Sequence, residues 1–288
     1  MTRVHHLNAA TLCPWTARLV NGAGWFTRGR LVCHCLLVET SSGLVLIDTG
    51  IGSEDVADVT GRLGHLFWAF ARPIRDPEET ALAQVVKMGF NPRDVRHIVP
   101  THLDLDHAGG LPDFPWAEVH INADEWQAAA RPRTMNERGR YRAIHWAHGP
   151  KWVLRAPGGD DWLGFRSVQA IDGEGDVLLV PLEGHTRGHC GVAVRTDGGW
   201  LLHAGDAYFH HAELTGERPR CPPGLRAFQR IIAVDNRARL GNQARLRRLA
   251  RDHSEVRIHC AHCPVEYDSL AHSMALAGNA PARLSAGE

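Results

Sequence analysis

One short segment of the sequence carries residues that are suited to hold a metal ion. It contains two histidines and two aspartates within six positions, namely His102, Asp104, Asp106 and His107. Alternate side chains of an extended chain share one face, so the first three would point together, and a tight turn would bring His107 to them. Imidazole nitrogens and carboxylate oxygens are ligands of divalent metals. The spacing therefore predicts a metal site.

A strand and a glycine turn are expected to hold this segment. Residues 95–101 are predicted to form the strand, and the glycines at 109 and 110 let the backbone turn sharply. A β-hairpin is predicted earlier in the chain, over residues 31–39 and 44–50, because two apolar runs flank a short Ser/Gly turn. Asp48 lies near the end of its second strand. It is interpreted as a turn cap, as a carboxylate that orients a metal-binding histidine, or as both.

The second half of the chain repeats the pattern of an apolar strand followed by a metal-binding residue type. Strands are predicted near residues 165–171, 177–182, 191–195, 200–206 and 256–262, and helices near 77–88, 123–130 and 225–252. His185 stands in a glycine-flanked loop, whereas Asp206 and His262 end strands. We therefore expect these three residues to supplement the first segment.

Two further segments could cover or build a pocket. Residues 53–75 are rich in aromatic side chains, which favours either a packed helix or a flap that covers a pocket or forms a homodimer contact. Residues 131–157 are polar, with several prolines and glycines, and are expected to be an irregular insertion that forms a substrate pocket. A solvated loop is the alternative for this insertion.

Composition limits the function classes. The 288 residues contain 32 Lys and Arg against 32 Asp and Glu, so no global basic field would attract nucleic acid or an anionic membrane. We expect a single domain over residues 1–288 that acts on a small-molecule substrate. No signal-peptide pattern and no apolar run long enough to span a bilayer are recognised, which predicts a cytoplasmic protein.

Cysteine and histidine content is the other distinctive feature. The seven cysteines are an odd number in a long chain, which favours reduced thiols over a disulfide framework. Cys260 and Cys263 flank His262, and we interpret them as small buried or site-lining thiols rather than a structural zinc site. Of the 19 histidines, His34 is interpreted as structural and His189 as a residue that fixes its loop.

Taken together, the motifs resemble the metallo-β-lactamase fold superfamily, particularly its lactonase-like and glyoxalase-II-like hydrolases. Five features occur in the order typical of that family: Leu46-Ile47-Asp48-Thr49-Gly50, the cluster from His102 to His107, Gly184 to His189, Gly205-Asp206, and Ala261-His262. The resemblance implies an α/β (α+β) fold, a four-layer αββα sandwich with a metal site at one edge.

The resemblance also implies a dinuclear site that binds two divalent metal ions. His102 and His185 would bind the first ion, Asp106, His107 and His262 the second, and Asp206 would bridge both. Asp48 would orient one of the ligand histidines without binding a metal ion itself. Asp104 stands where the family usually has a further histidine on the first ion. Zinc is the metal expected from the family, but an extra carboxylate shifts the preference toward iron or manganese.

The implied activity is hydrolysis of a lactone, ester or thioester by a metal-activated water. Asp106 would move the proton of the nucleophile, and Tyr208 would donate to the oxyanion unless it serves only core packing. Two alternatives stay open. Asp104 is compatible with a diiron oxidoreductase or dioxygenase, and the same ligands would serve a non-catalytic protein that binds a metal or small molecule.

Overall fold

The computed structural model describes residues 2–15, 17–21, 24, 26–156, 158–171, 175–216 and 218–278, with no side-chain detail at 167 and 273–278. In this part of the chain twelve strands form two six-stranded sheets. The first sheet contains, in spatial order, β1 (Arg3–Leu12), β2 (Leu31–Thr40), β3 (Gly43–Ile47), β4 (Val95–Val99), β5 (Glu118–Asn122) and β6 (Lys151–Arg155).

The first sheet is mixed. The β1–β2 and β2–β3 pairs are antiparallel, as predicted for the hairpin, whereas β3, β4, β5 and β6 run parallel. The carboxyl ends of β3 and β4 therefore meet at one edge of the sheet. Asp48 follows β3 directly, and the segment that begins at His102 follows β4.

The second sheet is also mixed, with the spatial order β12-β11-β10-β9-β8-β7. Only the β11–β12 pair is parallel among its described pairs. Its strands are β7 (Asp160–Trp162), β8 (Phe165–Ala170), β9 (Val177–Pro181), β10 (Cys190–Thr196), β11 (Gly199–His203) and β12 (Val256–His259).

Eleven α-helices and five short 3-10 helices complete the described chain, and no helix in it is long and apolar enough to cross a membrane. The α-helices are α1 (Ala17–Val20), α2 (Ser53–Ala57), α3 (Val59–Arg62), α4 (His65–Ala71), α5 (Ala81–Lys87), α6 (Leu105–Ala108), α7 (Ala123–Ala130), α8 (Met135–Arg140), α9 (Pro223–Ile232), α10 (Asn236–Asp252) and α11 (Pro264–Gly278). The 3-10 helices are Pro77–Glu79, Pro92–Asp94, Leu111–Asp113, Ala143–Trp146 and His211–Glu213.

Apolar side chains on both faces of the sheets produce the layers. The two sheets pack on each other through residues such as Val38 of the first sheet and Val192 of the second. The other face of the first sheet packs on α5 and α7, and that of the second sheet packs on α10. This arrangement confirms the predicted four-layer αββα sandwich, in which inner strands such as β2 and β3 are buried almost throughout because both of their faces are covered.

Three segments differ from the sequence-based expectation. Residues 53–75 form three short helices rather than one, because Asp58 caps α3 and Gly64 adopts a positive φ of 88° before α4. The predicted helix over 225–252 is two helices, since Asp235 accepts hydrogen bonds from Arg237 and Ala238 and starts α10. The insertion at 131–157 is not irregular throughout, because it contains α8 and the edge strand β6.

Candidate metal centre

The loops that follow the strands converge at one edge of the sandwich. Residues 102–107 leave β4 and enter α6, while Asp206 follows β11 and His262 follows β12. His185 lies in the turn between β9 and β10. Because these strand ends face each other across the two sheets, the structure brings all seven predicted ligands together: His102, Asp104, Asp106, His107, His185, Asp206 and His262.

Three of these residues form a first group. The Asp104 carboxylate Oδ2 lies 3.0 Å from His185 Nε2 and 3.4 Å from His102 Nε2. Asp206 Oδ2 lies 3.3 Å from His185 Nε2 and 3.8 Å from His102 Nε2. Two imidazoles and two carboxylate oxygens thus surround one small space.

A second group lies on the other side of Asp206. Its Oδ1 is 3.1 Å from His262 Nε2 and 3.4 Å from His107 Nε2, and those two nitrogens are 3.3 Å apart. Asp106 Oδ2 is 3.7 Å from His262 Nε2. Asp206 therefore directs one oxygen to each group, which is the arrangement that a bridging ligand requires.

Contacts to the Nδ1 atoms of His107 and His262 orient the Nε2 atoms of these histidines toward the centre. Asp48, predicted from its place after β3, lies with its Oδ2 2.8 Å from His107 Nδ1 and accepts hydrogen bonds from Thr101. His262 Nδ1 is 2.8 Å from the Val32 carbonyl oxygen. Each contact leaves Nε2 facing the centre, as in metal-binding histidines generally. Asp48 holds this position with φ of 54°, a left-handed conformation that aspartate tolerates better than most residues.

Several buried atoms of the centre have no hydrogen-bond partner among the described residues. They include His102 Nε2 and Asp206 Oδ1, and also Asp104 Oδ1, which faces Arg140 rather than the centre. Buried polar atoms are normally paired, so the unpaired His102 Nε2 and Asp206 Oδ1 are consistent with ligands of a cation. Histidine nitrogens and carboxylate oxygens are also the right donors, and the residues therefore fit a pair of divalent metal ions.

Neighbouring charges shift the pKa values of Asp206 and His107 in the centre. Burial opposes ionisation of Asp206, but His262, His107 and His185 hold the pKa of its carboxyl well below the usual range. Burial likewise opposes the protonation of His107, yet Asp206 and Asp48 hold its pKa well above the usual range. The carboxylates around His107 thus favour a positive charge in this part of the centre.

Asp104 has a partner that the sequence did not indicate. Arg140 lies at the end of α8 with its Nε 3.5 Å from Asp104 Oδ1, and it donates to the carbonyl oxygens of His185 and Ile232. Although burial favours the neutral acid, Arg140 and the nearby histidines hold the pKa of Asp104 well below the usual range. The Asp104 carboxylate therefore favours its charged form and lies beside a buried cation.

Glu125 on α7 is a second residue that the sequence analysis missed. Its buried carboxylate accepts hydrogen bonds from the amide of Leu103, from the hydroxyl of Tyr141 and from the amide of Gly188. One side chain thus connects the loop of His102 with the loop of His185. In sequence it is an acid in the first turn of a helix, which the favourable interaction with the helix dipole would already explain.

Cys33 also lies at the centre. Donor atoms of Cys33, Asp106 and His262 fall within 4.8 Å of one another, and Cys33 is buried. Burial and the nearby Asp106 raise the pKa of its thiol well above the usual range. No local pattern in the sequence indicates this role, because Cys33 stands far from the histidine motif in the chain.

Tyr208 is the predicted site residue that the structure does not bring to the centre. It is fully buried in the core of the second sheet, and its hydroxyl donates to Glu266 at 2.9 Å. The next residue, Phe209, instead faces the centre and stacks on His262 at 4.9 Å between ring centroids. His189 accepts a hydrogen bond from the Asp206 amide and hydrogen-bonds to the Leu182 carbonyl, so it holds the bridging loop.

A cavity of about 680 Å³ opens above the two groups. Asp104, Asp106, Asp206 and His262 contribute to its lining at the metal centre. Aromatic and aliphatic residues form much of the rest, and Phe70 of α4 stacks on Phe228 of α9 at 5.2 Å. Both segments that were expected to cover or build a pocket contribute to this lining: Leu63, Gly64, His65, Leu66, Phe67, Phe70 and Ala71 from the first, and Met135, Asn136, Gly139, Arg140 and Arg142 from the second.

Comparisons with known proteins give a consistent result. Residues 28–262 match the family described as the metallo-beta-lactamase superfamily. A probable metallo-hydrolase of Mycobacterium tuberculosis is 45% identical over 267 residues, which cover 92% of this chain and 81% of the relative. The N-acyl homoserine lactonase AttM of Agrobacterium fabrum is 28% identical over 162 residues, 55% of this chain and 58% of AttM.

A solved structure shows the same fold. It is a mutant of AiiA from Bacillus thuringiensis with N-decanoyl-L-homoserine bound at its active site. The TM-score is 0.70 at 19% identity, over 92% of this chain and 95% of that chain. The matches confirm the predicted family and the predicted class of metallo-hydrolase. On these grounds, the chain belongs to the metallo-beta-lactamase superfamily.

Proposed function

We propose that the protein is a metal-dependent hydrolase that opens a lactone or cleaves an ester or thioester of a small molecule. The observation that carries this proposal is the pair of ligand groups that share Asp206 at the floor of a largely apolar cavity. A cavity of this size and lining suits a small organic molecule with an apolar part. AttM, a lactonase, is a relative over half of the chain, which makes a lactone the first substrate class to test.

Two metal ions would be held by the residues described above. His102, Asp104 and His185 would hold one, Asp106, His107 and His262 would hold the other, and Asp206 would be shared. When bound, such ions supply Lewis-acid activation of a water nucleophile and of the substrate carbonyl.

The protein's own groups then have separate roles. Asp106 is partly exposed to the cavity, with a side-chain exposure of 14%, and accepts the proton that the nucleophile releases. Asp48 keeps His107 in one orientation through its 2.8 Å contact with Nδ1. A substrate bound against the apolar walls would displace water from the cavity, which would strengthen the electrostatic interactions inside it.

The test is a panel assay combined with one substitution. Purified protein loaded with zinc, iron or manganese is assayed on acyl-homoserine lactones, esters, thioesters and phosphodiesters. For Asp106→Asn we expect a loss of kcat of at least about 100-fold on the active class, because a general base typically contributes that much. Circular dichroism should show an unchanged fold. Turnover that survives in Asp106→Asn would exclude this role for Asp106 and favour a binding protein with adventitious activity.

A diiron oxidoreductase is the second candidate, and Asp104 is the observation that favours it. A third carboxylate among the ligands suits iron better than an all-histidine group does. Mössbauer and optical spectra of protein purified without chelators test this candidate. A centre that fills with zinc alone and hydrolyses a lactone would exclude it.

A further inference from the structure

Three histidines form a second cluster, outside the centre described above. His6 lies on β1, His34 on β2 and His259 at the end of β12, so the cluster joins an edge of the first sheet to an edge of the second. One nitrogen of each ring lies within 4.8 Å of one nitrogen of each of the others. His34 and His259 are buried, whereas His6 is only partly buried.

The buried rings of the cluster are only partly hydrogen-bonded. His6 Nδ1 and His34 Nε2 are 2.8 Å apart and share one proton. Within the part of the chain that the structure describes, His34 Nδ1 and His259 Nε2 have no hydrogen-bond partner, and both residues are at least nine-tenths buried. Unpaired buried polar groups destabilise the folded state, so apolar residues would serve a purely structural role better.

We propose that His6, His34 and His259 form a third metal site, which takes zinc or another divalent transition metal that favours imidazole ligands. The three nitrogens leave the fourth position to water on the partly exposed side of His6. The set excludes magnesium and calcium, because those ions require oxygen ligands. His34, interpreted as structural from the sequence, becomes a ligand in this proposal.

Small movements would convert the cluster into a coordination sphere. Tetrahedral zinc with bonds of about 2.0–2.1 Å to nitrogen places its ligand atoms about 3.3 Å apart. Since one ligand nitrogen of each residue lies within 4.8 Å of the other two, no pair has to move by more than the difference between that limit and the spacing in a zinc site. His259 already has the second contact of a metal ligand, since its Nδ1 lies 3.4 Å from the Cys260 carbonyl oxygen.

The neighbouring His203 does not belong to the ligand set. Its Nε2 donates to the His34 carbonyl oxygen at 2.6 Å, and its Nδ1 accepts from the Gly205 amide. Both ring nitrogens of His203 therefore already have hydrogen-bond partners in the backbone. His203 Nε2 also lies 3.8 Å from Asp48 Oδ2, so His203 lies between the histidine cluster and the carboxylate that contacts His107.

Protonation and charge predict how tightly this site binds. Burial and neighbouring histidines lower the pKa of His34 and His259 well below the usual range and that of His6 to about 4, so all three are neutral near pH 7. Neutral imidazole is the form that binds metal. The ligand set contains no carboxylate, and the positive charge of Arg257 acts on His6. We therefore expect this site to fill after the carboxylate-containing centre.

The experiment counts and locates the ions with zinc alone as the probe. Chelator-treated protein is titrated with zinc, and crystals of the saturated protein are measured on both sides of the zinc absorption edge. We expect two anomalous peaks at the first centre and a third between His6, His34 and His259. The third equivalent should also raise the Tm, because it joins β1 and β2 to β12.

Two single variants provide the matched comparison. His6→Gln should lose the third peak and the third step in Tm while keeping the first two ions. His5→Gln removes the adjacent histidine on β1, which lies 2.8 Å from Glu39 instead, and should keep all three peaks. Saturated wild-type crystals with two peaks only, or a third peak that persists in His6→Gln, would overturn the proposal. The wild-type map decides the question even if His6→Gln fails to fold.

Discussion

Asp104 is the residue on which the chemistry of the first metal group depends. Its Oδ2 faces His102 and His185, and its Oδ1 faces the buried Arg140. A histidine at this position could not pair with that guanidinium. Asp104 is therefore the charged partner of Arg140, which otherwise donates only to the carbonyl oxygens of His185 and Ile232 among the described residues.

We predict that Asp104→His shifts metal preference toward zinc. The substitution exchanges a hard oxygen donor for imidazole, so the ratio of bound zinc to bound iron or manganese should rise by about tenfold or more. The measurement is metal content by mass spectrometry after anaerobic equilibration with equal concentrations of the three ions.

Asp104→Asn is the control for charge, because it keeps an oxygen donor but removes the negative charge. We expect weaker binding of all three ions in this variant, without a specific gain for zinc. Equal metal ratios in the wild type and Asp104→His would show that Asp104 does not select the metal.

At the scale of the elements, Glu125 connects the loops that carry the ligands. It holds the amides of Leu103 and Gly188, which flank the loops of His102 and His185. Both loops must keep their spacing if the two histidines are to bind one ion.

We predict that Glu125→Gln lowers both stability and metal affinity. The amide nitrogen of glutamine would face a backbone N–H, which leaves donors unpaired and costs about 1–3 kcal/mol. Urea unfolding of the metal-free protein measures the loss of stability, and zinc titration measures the loss of affinity. Asp124→Asn, an exposed position on the same helix, should change neither quantity. Normal zinc affinity in Glu125→Gln would contradict the positioning role.

A second connection between elements predicts a pH effect. Asp113 ends the 3-10 helix Leu111–Asp113, and its Oδ2 accepts from the amide and hydroxyl of Ser53 at the start of α2. Burial, together with the charges of Asp55 and Glu54, raises the pKa of Asp113 to about 6. The folded state thus binds this proton more tightly than the unfolded state, so the stability it contributes is complete below about pH 4 and is lost as the pH rises to about 6.

Asp113→Asn should remove the loss of stability that the wild type shows as the pH rises to about 6. Asparagine still offers an oxygen to Ser53 but cannot ionise, so the Tm of the variant minus that of the wild type should increase between pH 4 and 6 and then stay constant. Thermal scans in matched buffers measure this difference. A difference that does not change with pH would show that Asp113 ionises normally in the folded protein.

At the scale of the whole molecule, the metal centre joins the two sheets. Residues 102–107 follow a strand of the first sheet, whereas Asp206 and His262 follow strands of the second. His107 lies between two carboxylates, with Nδ1 facing Asp48 and Nε2 facing Asp206, and these carboxylates hold its pKa well above the usual range against the effect of burial. Metal binding should therefore stabilise the whole sandwich and release protons.

We predict that chelation lowers the Tm and that zinc restores it while calcium does not. Free metal at 100 times its Kd stabilises the fold by about 2.7 kcal/mol. This gain should shrink as the pH falls, because the raised pKa of His107 makes protons compete with the metal. Differential scanning calorimetry at several pH values measures it. An equal Tm with and without metal would argue that the centre is not occupied in solution.

The sequence by itself determined the features that depend on local patterns. The apolar runs predicted most of the strands, including the hairpin of β2 and β3 and the strand β4, because burial on both faces requires apolar residues throughout. The motif spacing, read together with the family resemblance, named seven candidate ligands and Asp48. These residue types at strand ends have few structural explanations, so they can be recognised before any contact is known.

Only the tertiary structure decided which side chains from distant segments meet. Arg140 reaches Asp104, Glu125 joins two loops, and Tyr208 turns toward Glu266 rather than the cavity. Nothing in local sequence distinguishes these residues from a surface cation, a helix-start acid or a site tyrosine. Their partners lie on separate elements, and the packing of the two sheets sets the direction of each side chain. The same is true of His6, His34 and His259, whose spacing in the chain gives no sign that their rings converge.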